Sequence, residues 1–181
     1  DKEVQQKATG FLKNILTQSN LEPVKYEKIF NLFESMKQSK DQQKVFNCIV
    51  QTLLKELDFL SKYQKNELLN IGELIGGIID RSLVDTNLLS FILQKLYYII
   101  NASKKDQKLL YFVVRVIDRC ETRLQKYPAL CEKLLSSDLL KFQNVGHLSS
   151  CRNENQSQQI TNQSSLKREH SSQLSNNHHN I

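Results

Sequence analysis

Apolar residues recur at helical spacing along most of this chain, and this periodicity limits the folds open to it. In the first segment the apolar positions run from Val4 to Leu16 with i, i+3, i+4 and i+7 spacing. Similar stripes follow in six later segments, and no alternating strand pattern competes with them. The later stripes begin near residues 23, 41, 64, 86, 103 and 128. The sequence therefore predicts an all-α protein.

Short connections between these helices predict antiparallel neighbours, and so a stack of helical hairpins. A short internal repeat is consistent with such a stack. The segment "IIDR" ends at Arg81 and "VIDR" ends at Arg119, and their separation is just under the period of HEAT-type repeats. Each Asp-Arg pair is expected to brace its own helix end. Ser103 and Asp106 resemble a capping box for the sixth helix. The fifth helix is apolar almost all round, which predicts a central position.

Three of the five glycines, Gly72, Gly76 and Gly77, fall inside the predicted fourth helix. A glycine there costs roughly 1 kcal/mol relative to alanine, so a compensating role is needed. A phosphate-binding loop would need a preceding strand, a following helix and a Lys followed by Ser or Thr, and "GELIGGIID" has none of these. Close helix packing is the favoured interpretation.

The chain divides by composition into two parts. Residues 1–142 carry the helical stripes and are predicted to form one helical-repeat scaffold domain. Residues 143–181 lack Phe, Tyr and Trp and are rich in Ser, Asn and Gln, which predicts a disordered polar tail or linker. All four histidines lie in this tail, including the pair His178 and His179.

The residues offer little chemistry for catalysis. The predicted domain has no histidine, and the four cysteines form no C-x-x-C pair and no spacing that suits zinc. We therefore predict no enzyme activity, no catalytic residue, no cofactor and no metal. Buried free thiols indicate a reducing compartment. No signal peptide or long apolar run is present, so we expect a soluble intracellular chain, and one that opens on Asp1 as a fragment of a longer protein would.

Several blocks of sequence resemble a known family. They are Phe46-Asn47-Cys48, Tyr63, Gly76-Gly77-Ile78-Ile79, Asp118-Arg119, Arg123-Leu124, Tyr127-Pro128 and Cys131. Over roughly Val4 to Phe142 the chain resembles the tristetraprolin-binding domain of the large NOT scaffold subunit of the CCR-NOT deadenylase complex. That domain is a HEAT-type stack similar to the middle domain of translation initiation factor four-G.

The resemblance implies a non-enzymatic scaffold that receives a short amphipathic helix from an RNA-binding adaptor. Other subunits of the complex would bind the rest of the scaffold chain, and the adaptor would bring its mRNA to deadenylation, decay and translational repression. A cytoplasmic location follows, with the nucleus as an alternative. The family's groove matches Thr9, Leu12 and Leu16 here, although two aromatic positions have become leucines. The alternative for both leucines is ordinary core.

A second hypothesis is direct RNA binding. It rests on the net charge of +6 and on Lys62, Lys65, Lys104 and Lys105, which fall near predicted helix ends. A solvated surface is the favoured explanation of these lysines, so direct nucleic-acid binding is the less favoured function. The two functions differ in salt dependence, because phosphate binding weakens steeply as salt rises and apolar groove binding does not.

Overall fold

A computed structural model describes residues 1–19, 21–128 and 132, and shows them as a succession of helices with no β-strand among them. The elements are α1 (Lys2–Leu16), α2 (Pro23–Gln38), α3 (Gln43–Glu56), a 3-10 turn (Leu60–Lys62), α4 (Lys65–Asp80), α5 (Thr86–Ala102) and α6 (Leu109–Leu124). None of these helices has the length and apolarity needed to cross a bilayer. Most of the predicted seventh helix and all of the tail predicted for residues 143–181 lie outside the described residues.

Local signals explain where several helices begin. The Asp1 carboxylate accepts a hydrogen bond from the Glu3 amide, and Asp85 accepts one from the Leu88 amide at the start of α5. Pro23 opens α2, where its missing N–H costs nothing. The predicted capping box at Ser103 is wrong, because its hydroxyl donates to the Ile100 carbonyl at the end of α5.

An aromatic cluster joins the first three helices. The ring of Phe33 lies 5.8 Å from that of Phe11, 6.3 Å from that of Phe30 and 5.6 Å from that of Phe46, measured between centroids. Tilted and edge-on rings at these distances attract each other beyond the effect of burial alone. The stripes of α1, α2 and α3 therefore share one apolar core.

The glycines of α4 lie where other elements come closest. A Cβ atom at Gly72 would lie 2.8 Å from the Phe112 carbonyl oxygen, and one at Gly76 would lie 2.6 Å from the Arg119 Cβ. Gly77 faces α2 instead, where the ring of Phe30 fills the space of a side chain. The absent side chains let α4 pack tightly between α6 and α2. These contacts also show that α4 and α6 run in the same direction, with α5 as the return.

Helix α5 is less central than its apolar composition predicts. Ile92, Leu96 and Ile100 are buried, but Phe91 and Tyr98 are 42% and 60% exposed. One side of the helix therefore contributes to the core while the other presents aromatic rings to solvent.

Candidate interaction surfaces

The predicted groove residues on α1 do not share one environment. Leu12 and Leu16 are only 3% and 7% exposed, whereas Thr9 is exposed. The leucines belong to the stripe that α1 turns towards the core, together with Ala8 and Ile15. In this conformation neither leucine can contact a partner, which favours the core alternative for both. Partner binding through Thr9, Leu12 and Leu16 stays a prediction.

The surface beside Thr9 is a polar seam between α1 and α3. Gln5 Nε2 lies 3.4 Å from the hydroxyl oxygens of Thr9 and Thr52, and the Cys48 thiol donates to Gln5 Oε1 at 3.1 Å. Cys48 is a free, half-buried thiol. This seam offers hydrogen-bonding groups to a partner. An amphipathic partner helix would also need apolar contacts, and the predicted ones, Leu12 and Leu16, are buried.

Asn70 fixes the end of α1 from the middle of α4. Its buried Nδ2 lies 3.2 Å from the carbonyl oxygens of Ile15 and Leu16 and 3.0 Å from that of Gln18. Carbonyls in the last turn of a helix have no partner within the helix, so this side chain supplies one. Tyr26 of α2 donates to Asn70 Oδ1 at 2.6 Å. Burial, with a smaller effect from the Glu73 charge, raises the pKa of Tyr26 to about 12.

The arginines of the two "IDR" segments meet on α2. Arg81 and Arg119 each donate to a different oxygen of Glu27, and Arg81 also binds Glu34 at 2.9 Å. Both guanidinium groups lie over the Phe30 ring, at 5.6 and 5.0 Å from its centre. The two arginines therefore join the C-terminal parts of α4 and α6 to α2, a contact between helices that the predicted bracing by each Asp-Arg pair did not include.

A cleft of about 530 Å3, lined by both polar and apolar residues, lies beside this cluster, between the start of α2, α4 and α6. Its charged lining includes Glu73, Arg115 and Arg119. Burial raises the pKa of Glu73, and the charges of Arg115 and Arg119 oppose that effect. The Glu73 carboxylate lies 3.6 Å from Arg115 and 3.4 Å from Arg119. Glu73 of α4 is thus paired with two arginines of α6.

A second groove, of about 390 Å3, lies between α5 and the segment that follows α3. Leu57, Phe91, Tyr98, Ile99 and Ala102 supply its apolar lining. An ion pair between Lys95 and Asp58 joins its two sides. Of the exposed rings, Phe91 and Tyr98 line this groove, Tyr97 contacts Tyr98 edge-on at 6.2 Å between centroids, and Phe59 follows the groove residue Asp58. We term these four rings, Phe59, Phe91, Tyr97 and Tyr98, the aromatic face.

The interpretation of α5 as central missed this face, although the sequence contains a signal for it. Adjacent residues on a helix point about 100° apart, so Tyr97 and Tyr98 cannot both follow the direction of Leu96 into the core. The polar residues Gln94 and Lys95 lie in the neighbouring turn, which indicates that one side of α5 is exposed to solvent. The four lysines Lys62, Lys65, Lys104 and Lys105 are all exposed.

Metal-ligating side chains do not gather in the part of the chain that the structure describes. No group of three or more His, Cys, Asp or Glu residues there could hold an ion. The Cys120 thiol is buried, and its sulfur lies 3.0 Å from the Val116 carbonyl oxygen.

Three comparisons relate this chain to known proteins. The family model described as "CCR4-NOT transcription complex subunit 1 TTP binding domain" matches residues 1–164. The Caenorhabditis elegans protein named CCR4-NOT transcription complex subunit let-711 is 24% identical over 138 residues, which cover 75% of this chain and 5% of that protein. A solved structure titled "N-Terminal domain of the yeast Not1" superposes with a TM-score of 0.68 at 20% identity, over 85% of this chain and 28% of the other.

Proposed function

This chain belongs to the TTP-binding-domain family of CCR4-NOT transcription complex subunit 1, and on that premise we propose that it is a non-catalytic scaffold module for adaptor recruitment. It would bind short amphipathic helices of RNA-binding adaptor proteins, and so link their target mRNAs to deadenylation, decay and translational repression. The observation that carries the proposal is the family match over residues 1–164. The likeness to the yeast Not1 domain supports the helical fold alone.

The helical stack suits this role physically. Stacked helical hairpins present long surfaces, and a partner helix can lay its apolar side along them. A helix of two or three turns could bury several apolar side chains, each contributing roughly 1.5–3 kcal/mol before ordering costs. The net affinity would then be micromolar, which suits reversible recruitment. We further propose that this takes place in the cytoplasm.

The burial of Leu12 and Leu16 limits how an adaptor helix can contact α1. A groove built on Leu12 and Leu16 requires α1 to shift, because both side chains now face the core. Thr9 needs no such movement, since it is already exposed next to the α1–α3 seam. Thr9 is therefore the position at which the predicted site can be tested without disturbing the fold.

The experiment uses the full chain as an immobilised bait in nuclease-treated lysate of the source cells. RNA-binding proteins retained on the bait are identified by mass spectrometry, and their helical segments are synthesised as peptides and titrated in solution. We expect micromolar binding that changes little between low and physiological salt. Retention of RNA-binding proteins only when RNA is left intact would contradict the proposal.

Two variants locate the contact. Thr9→Lys places a charge at the predicted groove and should weaken peptide binding about tenfold or more if the peptide lies there. Leu32→Lys changes an apolar residue that is 43% exposed on α2, and serves as the matched control. If Thr9→Lys and Leu32→Lys bind the adaptor peptide equally well, adaptor recruitment still stands, but Thr9 is not part of the binding site.

A further inference from the structure

Exposed aromatic rings are concentrated at one place on the described surface. Among the described residues, six large apolar side chains are exposed, and the four aromatic ones are Phe59, Phe91, Tyr97 and Tyr98. The other two, Val24 and Leu32, are aliphatic and lie on α2. Exposure of single apolar residues is ordinary, but a group of rings beside a groove indicates a ligand that contacts ring faces.

Lysines accompany these rings. The Lys62 ammonium lies 4.7 Å from the centre of the Phe59 ring, and that of Lys95 lies 5.6 Å from the centre of the Phe91 ring. Lys104 and Lys105 follow α5 directly and are exposed. Two nearby contacts hold this end of the molecule together. They are the Lys95–Asp58 pair and the hydrogen bond of 3.0 Å from Lys108 to the Ser61 carbonyl.

The charge of this region is positive. Its three segments, residues 58–62, 91–98 and 104–108, contain five lysines and two aspartates. Asp58 is already paired with Lys95, and Asp106 accepts a hydrogen bond from the Lys108 amide. Of the lysines that remain without a carboxylate, Lys62 lies over the exposed Phe59 ring, and Lys104 and Lys105 belong to the segment that Lys108 joins to Ser61. Negative charge combined with planar, stackable groups is the chemistry that this surface complements.

We propose that the aromatic face and its lysines bind single-stranded RNA directly, as a function additional to adaptor recruitment. Bases would stack on Tyr98 and Phe91, and the Lys62 ammonium that now lies over the Phe59 ring would bind a phosphate instead, as would Lys104 and Lys105. Phe91 and Tyr98 are two turns apart on one side of α5, about 10 Å along its axis, so successive bases can reach both. A scaffold that binds the mRNA directly would keep that mRNA close to the adaptor bound on the same domain.

The test is fluorescence anisotropy of the full chain with a labelled oligouridylate of about twelve nucleotides. We expect binding at about 50 mM salt that weakens steeply by 200 mM. Tyr98→Ala should weaken it about five-fold or more, because a stacked base is lost. Lys104→Gln with Lys105→Gln should make the slope of log K against log salt shallower by about 1.4. A duplex RNA of the same length should bind less well.

Matched controls separate this site from general charge. Lys25→Gln with Lys28→Gln removes the same net charge from exposed positions on α2, and Leu32→Ala removes an exposed apolar side chain there. Neither control should change binding to the oligouridylate. Equal weakening by both lysine pairs, together with no effect of Tyr98→Ala, would overturn the proposal, as would the absence of binding at low salt.

The outcomes also distinguish this proposal from adaptor recruitment. Circular dichroism checks that every variant remains folded, which the exposure of Tyr98 favours. If Tyr98→Ala weakens adaptor peptides and leaves RNA binding unchanged, the face binds protein and the RNA proposal is wrong. If adaptor peptides fail to bind any variant while RNA binds as expected, the direct contact stands and recruitment fails.

Discussion

Gly77 of α4 packs directly on the Phe30 ring of α2, so closely that a Cβ at Gly77 would overlap the ring atoms. Phe30 is fully buried and also touches Phe33 edge-on, so it has no free space into which to turn. A glycine that costs helix propensity is therefore retained for the packing it permits.

We expect Gly77→Ala to destabilise the fold by about 1–3 kcal/mol, because overpacking outweighs the gain in helix propensity. The matched control is Gly10→Ala in α1, where nothing lies within 4 Å of the added atom. This control should stabilise the protein by up to about 1 kcal/mol. Urea unfolding followed by circular dichroism measures both changes, and stabilisation by both substitutions would contradict the packing role of Gly77.

The carboxylate of Glu27 connects three helices through two arginines, so its charge should matter for stability. Glu27→Gln removes the negative charge that Arg81 and Arg119 share, and we expect a loss of about 1–2 kcal/mol. Solvent screening limits the loss, because the Glu27 side chain is 47% exposed. As a control, Glu3→Gln removes one partner of the exposed pair with Lys7 and should leave the unfolding midpoint unchanged. Equal effects of the two substitutions would reject the role of Glu27.

The pKa of Tyr26 predicts an alkaline weakening of the fold. Burial raises this pKa from 10.0 to about 12, so between these values the unfolded chain releases the proton and the folded chain keeps it. The stabilising contribution is therefore complete below pH 10 and is lost as pH rises through about 12. We expect Tyr26→Phe to show a shallower fall in stability over this window, measured by urea unfolding at a series of pH values. Identical pH dependence in both proteins would show that Tyr26 titrates normally.

The sequence predicted the helices of this fold better than it predicted the contacts between them. Helical periodicity and short connections were enough for the all-α hairpin stack, because both are local properties of the chain. The contact of Arg81 and Arg119 with Glu27 was missed, because it depends on how α2 lies across the ends of α4 and α6. The aromatic face was missed for the same reason. Gln94 and Lys95 indicate that one side of α5 is exposed to solvent, but packing decides which aromatic rings stay uncovered beside them.

The same distinction applies to the predicted groove, where periodicity alone could not separate core from contact surface. If Leu12 is core, as its burial indicates, Leu12→Ala should destabilise the fold by about 2–5 kcal/mol. Thr9→Ala, three residues earlier and exposed, should change stability by less than about 0.5 kcal/mol. Urea unfolding of both variants makes the comparison.

A small loss of stability for Leu12→Ala would mean that its side chain leaves the core readily, and would support a groove that opens when α1 moves. That outcome should be accompanied by weaker adaptor-peptide binding in the same variant, because a ligand side chain would lose its apolar contact. A large loss of stability together with unchanged peptide affinity under folding conditions would assign Leu12 to the core alone, and the adaptor would then have to bind another surface of the stack.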